Sequence, residues 1–206
     1  MHWLTLLDLV AQVQGRAIPH ATRIVAVDGC GGSGKSTFGR ALVQAATGTL
    51  VQMDDFYHPR ADQSTERGAA KTPASAYDWP RLRDQILRPL VEGRAAHYQR
   101  YDWPSDSLAE WHVILPSALV VVEGTYSLYP ELRPYYTAAV LVETPREIRL
   151  ARGIERDGEA MRSQWVDDWM PAEDRYMTLY PPRAIADWVV DGSGLPPAPD
   201  GTVVVI

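Results

Sequence analysis

The sequence predicts an α/β fold: three layers, α/β/α, around a mainly parallel five-stranded sheet, in one domain over residues 1–206. Three observations predict it. Apolar runs at residues 23–28, 48–53, 118–122, 139–142 and 186–190 lack polar alternation, as strands covered on both faces do. Segments with helical spacing separate most of these runs, which favours parallel pairing. Several runs also end in acids (Asp28, Asp54-Asp55, Glu123, Asp191), at the carboxyl ends of strands, where parallel sheets bind their ligands. The 46% apolar content is enough for one real core.

The first run leads into the stretch with most chemical content, VDGCGGSGKST. Gly29 and Gly34 flank four residues and are followed by Lys35-Ser36, the phosphate-loop pattern GxxxxGK[ST]. Backbone N–H groups can all point at a phosphate chain only where side chains do not crowd the loop, hence Gly29, Gly31, Gly32 and Gly34. The helix that follows adds free N–H groups and the positive end of its dipole. The layered fold is therefore expected to be of the P-loop NTPase kind. Gly29, Cys30, Gly31, Gly32, Ser33, Gly34, Lys35, Ser36 and Thr37 would hold ATP, with Lys35 on the β and γ phosphates and Ser36 on Mg²⁺. Cys30 is the chain's one cysteine, so no internal disulfide exists. Helix N–H groups nearby would lower its pKa, and alkylation would then block nucleotide binding.

The remaining elements follow in order. Trp3, Leu6, Leu7, Val10 and Val13 recur at helical spacing up to Gly15, and residues 18–22 connect to the first strand. A helix spans about 35–46. Residues 59–73 form a polar loop, either plain surface or mobile cover. Pro80 suits the first position of a helix striped by Leu82, Ile86, Leu87, Leu90 and Val91. Residues 95–111 carry Tyr98, Tyr101, Trp103 and Trp111 with Asp102 and Asp106. They either stack on a flat ring or pair as two small strands. Glu123 ends its strand where an acid would order the magnesium's water shell. Arg146, Arg149, Arg152 and Arg156 line one side of a helix begun by Pro145. They are either solvated ion pairs or a clamp on the transferring phosphoryl group. A helix over 165–179 is expected to break at Pro171, and the turn 191–194 to border the adenine. Residues 202–206 should form a last short strand at a sheet edge.

These motifs, in this order, resemble the uridine kinase family, within the group that includes pantothenate kinase and phosphoribulokinase. The resemblance runs from about residue 23 to 191. It rests on VDGCGGSGKST, QMDDFY, YDWP, YDW, VVVEG and RLARGIERD. It implies an acceptor-binding insertion at about 56–112 and a short lid at about 153–170. Asp54 is implied as the catalytic base, Asp78 as a partner of a neighbouring hydroxyl, and Tyr57, Tyr101 and Trp103 as neighbours of the acceptor. Arg149 and Arg156 would serve the transfer, Arg152 the nucleotide, and Glu123 and Ser36 the metal. One departure is visible. Asp106 falls where uridine-cytidine kinases carry a pyrimidine-contacting histidine, and His112 lies well beyond it. A carboxylate only accepts hydrogen bonds, so the change suits an amino-bearing ring or a polar non-nucleoside better than a uracil carbonyl.

The expected function is ATP-dependent phosphoryl transfer to a hydroxyl of a small molecule, a nucleoside first. The alternatives are a pantothenate-like or sugar-like alcohol, or a P-loop ATPase switch without an acceptor. A formal charge of −6 and the lack of a basic stretch speak against nucleic acid. No run approaches a membrane span, and the expected place is the cytoplasm. Exposed aromatics are compatible with a homodimer.

Overall fold

The computed structural model describes residues 1–18, 22–116 and 119–206. Residues 19–21 of the connector expected at 18–22 and the first residue of the strand expected at 118–122 lie outside them.

Nine strands occur among the described residues. β2 (Arg23–Asp28), β3 (Thr49–Gln52), β6 (Leu119–Glu123), β7 (Ala138–Glu143) and β8 (Trp188–Asp191) are mutually parallel, with β2 between β6 and β7. The expected five are therefore there, but the sheet has seven strands, ordered β1-β9-β8-β7-β2-β6-β3. β9 (Thr202–Val205) pairs antiparallel with β8, and β1 (His2–Thr5) pairs antiparallel with β9. Two expectations change here. Residues 202–206 are not the edge, because β1 lies outside them, and the first helix begins only at Leu6. Trp3 fits the helical spacing by accident and is 71% exposed on the edge strand. The helix proper, α1 (Leu6–Gln14), is N-capped by Thr5, whose hydroxyl accepts from the Asp8 N–H at 3.0 Å.

Both sheet faces are covered, which accounts for the unbroken apolar runs. On one face Val25, Val27 and Val140 pack with Leu9 and Val13 of α1 and with Phe38 and Leu42 of α2 (Lys35–Ala46). On the other, Ile24, Val120 and Val122 pack with Phe56, Leu82, Ile86 and Leu90. Each fully buried Leu or Phe contributes about 1.5–3 kcal/mol. Leu82, Ile86 and Leu90 belong to one helical run, α3 (Trp79–Leu82), a π-helical turn Arg83–Leu87, and α4 (Arg88–Val91).

α5 (Arg146–Asp157) ends at Gly158, and a π-helical stretch Gln164–Trp169 then continues without interruption into α6 (Met170–Leu179). The break expected at Pro171 does not occur. Pro171 follows the π-helical stretch, whose wider turn makes room for the proline ring and absorbs its missing N–H. Pro89 follows the turn Arg83–Leu87 in the same way. β4 (Ala96–Asp102) and β5 (Ser107–Ile114) form a separate antiparallel pair, so the aromatic segment does make two small strands.

Candidate active site

The loop between β2 and α2 is anchored from below by Asp28. This carboxylate is fully buried and accepts from the N–H groups of Gly29 (2.6 Å), Tyr126 (3.2 Å) and Leu128 (2.8 Å) and from the Tyr176 hydroxyl (2.7 Å). Burial pushes its pKa up, and the Leu128, Tyr176 and Gly29 donors, with the Lys35 charge, pull against that. Lys35 lies along the loop, its Nζ 3.4 Å from the Cys30 carbonyl. Cys30 corrects the expectation of an activated thiol. It is buried, and burial, with the Glu173 charge beside it, pushes its pKa up.

At the end of β6, Glu123 is 3% exposed and has both oxygens in use, one accepting from Ser36 Oγ and one from Gln52 Nε2, each at 3.1 Å. Burial raises its pKa, Lys35 opposes the rise and Asp54 adds to it. Past β3 a 3₁₀ turn, Met53–Phe56, carries the paired acids. Asp54 is exposed and takes the Tyr77 hydroxyl at 3.3 Å. Asp55 is half-buried, accepts from the Tyr98 hydroxyl at 2.8 Å, and has its pKa raised by burial.

An aromatic wall stands beside Asp54. Tyr57 lies 4.6 Å from Tyr77, 4.4 Å from Trp103 and 5.9 Å from Tyr101, between ring centroids. Asp78 caps α3, accepting from the Arg81 backbone N–H at 3.1 Å and pairing with its guanidinium at 3.3 Å. Arg81 also donates to the Gln99 and Asp55 carbonyls, so it ties turn, helix and hairpin together. Asp106 is already engaged, accepting from the Tyr101 hydroxyl at 2.5 Å and the Arg60 N–H at 3.0 Å. The Tyr101 bond holds its pKa low. His112, distant in sequence from the aromatic motif, is folded back by β5 to stack on Tyr98, with centroids 5.2 Å apart.

The four arginines divide by position. Arg149 is buried, with its Nε on the Thr144 carbonyl (3.2 Å) and its Nη1 on Glu173 Oε2 (3.1 Å). Arg152 donates to the carbonyls of Gly32 (3.3 Å), Gly192 (3.0 Å) and Ser193 (3.1 Å), joining the phosphate loop to the turn after β8. Arg156 is exposed, pairs with Asp157 at 2.7 Å and sits over the Trp165 ring. Arg146 pairs with Asp174 at the surface. Sequence reasoning missed Glu173. Its other oxygen accepts the Gly31 N–H of the phosphate loop at 2.8 Å, so it bridges that loop to Arg149. Nothing in the spacing of residues 165–179 marks it, because the contact spans 142 residues.

The profile of the phosphoribulokinase / uridine kinase family matches residues 24–178, from the first core strand to the end of α6. The chain belongs to this family. A uridine kinase of Deinococcus deserti is 27% identical over 186 residues, covering 84% of this chain and 88% of its own. A uridine kinase of Halobacterium salinarum is 26% identical over 179 residues, covering 81% and 78%. A Bacillus stearothermophilus structure described as a possible uridine kinase superposes with a TM-score of 0.70 at 21% identity, covering 89% of this chain and 96% of that one. As a member of the phosphoribulokinase / uridine kinase family, the chain is an ATP-dependent small-molecule kinase with a P-loop α/β fold. No group of three or more His, Cys, Asp or Glu is placed to hold a metal among the described residues. Nor is any described helix long and apolar enough to cross a membrane.

Proposed function

We propose that this kinase transfers the γ-phosphoryl group of ATP to a hydroxyl of a nucleoside, with uridine and cytidine as the leading acceptors. The observation that carries the reading is the placement of Asp54. It is an exposed carboxylate at the end of β3, between the Ser36–Glu123 pair and the aromatic wall of Tyr57, Tyr77, Tyr101 and Trp103. Family membership and the two uridine kinase relatives support the acceptor class.

In this reading the N–H groups of residues 29–37 cradle the phosphate chain and Lys35 offsets its charge. The acceptor hydroxyl lies against Asp54. Its oxygen bonds to the γ phosphorus as the bond to the β–γ bridging oxygen breaks, its proton passes to Asp54, and ADP leaves. Arg149, held by Glu173 and Thr144, and Arg156 supply positive charge to the moving group; Arg152 braces the loop under the nucleotide. Asp78, whose side chain is 28% exposed although both oxygens accept from Arg81, holds a second hydroxyl. The donor set fits Mg²⁺: the Ser36 hydroxyl and the Glu123 carboxylate are hard oxygen ligands, and this ion takes its remaining positions from water and substrate phosphate. Bound there, it would neutralise charge on the phosphate chain. We assign residues 56–112 to acceptor binding and 153–170 to a lid that excludes water.

A second reading, a non-nucleoside alcohol, is favoured by one observation. Asp106 is spent on Tyr101 and Arg60, so the place of a base-reading histidine has become a tie between hairpin and loop. An ADP-release screen with ATP–Mg²⁺ over nucleosides, pantothenate, small sugars and vitamin alcohols, with product mass checked, separates the two. Turnover of uridine or cytidine supports the first reading. Silence of all nucleosides with turnover of another alcohol replaces it with the second.

A further inference from the structure

Phosphoryl transfer as described above has no task for Asp168, yet this carboxylate is 5% exposed and fully engaged. Its Oδ1 accepts the Gly68 N–H at 2.8 Å. Its Oδ2 accepts from Gln164 Nε2 at 2.6 Å and faces Lys71 Nζ at 3.7 Å. Gly68 and Lys71 belong to the acceptor-side loop, whereas Asp168 belongs to the helical stretch Gln164–Trp169. The approach is close: Gly68 has φ +56°, and a Cβ there would stand 2.7 Å from the Asp167 carbonyl oxygen. A buried carboxylate left without its donors is costly, so loop and helix are held together by more than contact area.

The same helical run grips the phosphate loop at two points. The Trp165 ring covers Gly31, leaving 2.8 Å for any Cβ there, and Glu173 takes the Gly31 N–H and the Arg149 guanidinium. The far end of the acceptor-side loop is pinned separately, by Arg60 on Asp106. A continuous path therefore runs from phosphate loop, through residues 164–179, to the loop at 60–71.

We propose that Asp168 is a positioning residue that couples the two halves of the active site, so that nucleotide on the phosphate loop orders the acceptor-side loop. Phosphates on the loop fix Gly31 and Arg149, on which Trp165 and Glu173 of the helical run rest, and so stiffen that run. Asp168 transmits that change to Gly68 and Lys71. The inference rests on the nucleotide half of the proposed function and is independent of which alcohol is phosphorylated.

Hydrogen–deuterium exchange of the full chain tests it, with and without a non-hydrolysable ATP analogue carrying nitrogen at the β–γ bridge, plus Mg²⁺. In the wild type, amides of residues 60–71 should exchange ~5-fold more slowly with the analogue, the size of a modest coupling between sites. In Asp168→Ala, and separately in Gly68→Ala, which pushes the loop off while leaving the carboxylate intact, that slowing should shrink below about 2-fold while residues 29–37 still respond as in wild type. A purely structural role for Asp168 would loosen the loop equally with and without nucleotide. An unresponsive loop in wild type, or a response that persists in both variants, overturns the proposal. A phosphate loop that does not respond to the analogue overturns the nucleotide reading beneath it and is told apart by that signal.

Discussion

Asp54 and Asp55 are neighbours in the chain and differ in what surrounds them. The exposed one meets a single weak donor, Tyr77; the other is sunk against Tyr98 and serves the hairpin. These surroundings favour Asp54 as the proposed base. Asp54→Asn should lower kcat by about 10²–10⁴-fold, the worth of a positioned general base, and leave the Kd for ATP within about 2-fold. Full activity in that variant would move the assignment to Asp55. Glu173 supports a prediction in pH. Burial raises its pKa above the ordinary 4.5, with Lys35, Arg149 and the Gly31 N–H opposing and Asp174 assisting. The folded state then holds this proton more tightly than the unfolded chain, so the stability tied to it is present at low pH and lost as pH rises through the raised value. As pH is lowered from neutrality through the raised value, the Tm of wild type should rise relative to that of Glu173→Gln, which has no such proton. Thermal melts of both proteins across that range check it, and a shift the other way removes the assignment.

Where helices meet the phosphate loop, close approach decides what can be substituted. Trp165 fills the space between Gly31 of the loop and Gly153 of α5, and a Cβ on Gly153 would lie 2.5 Å from its ring. Gly153→Ala should cost about 1–3 kcal/mol through overpacking, although alanine is the better helix former, and calorimetry of the variant reads it directly. Equal or higher stability would mean that Trp165 can withdraw without penalty. This contact is also why the element was only half legible. The spacing of Arg146 to Arg156 marks a helix, and the structure agrees from Arg146 to Asp157. Which arginine faces the loop depends on partners farther off in sequence, Glu173 for Arg149 and Gly32 and Gly192 for Arg152. β1 escaped for a related reason: a four-residue strand carries no period of its own, and its pairing with β9 joins residues about 200 positions apart.

Across the whole molecule, the legible parts are those whose signal is local. The phosphate loop and the strands with their acidic ends read directly from the sequence, because glycine spacing and unbroken apolar runs are properties of a few consecutive residues. The acceptor side reads less well, because its polar groups partner one another across elements. Asp78 is a helix cap before it is anything else, and Asp106 holds Tyr101 and Arg60. Cys30 shows the same limit, since its neighbours in sequence promise an activated thiol and its packing provides the reverse.

That buried sulfur makes the molecule its own clock. It is the single cysteine of the chain, sits inside the loop that grips phosphate, and stays protonated while folded. A colourless disulfide reagent that releases a coloured thiol can reach it only when the loop opens, so the rate of colour development counts those openings with no label added. Whatever fills the loop should slow the clock, which makes ligand screening possible before any acceptor has been found.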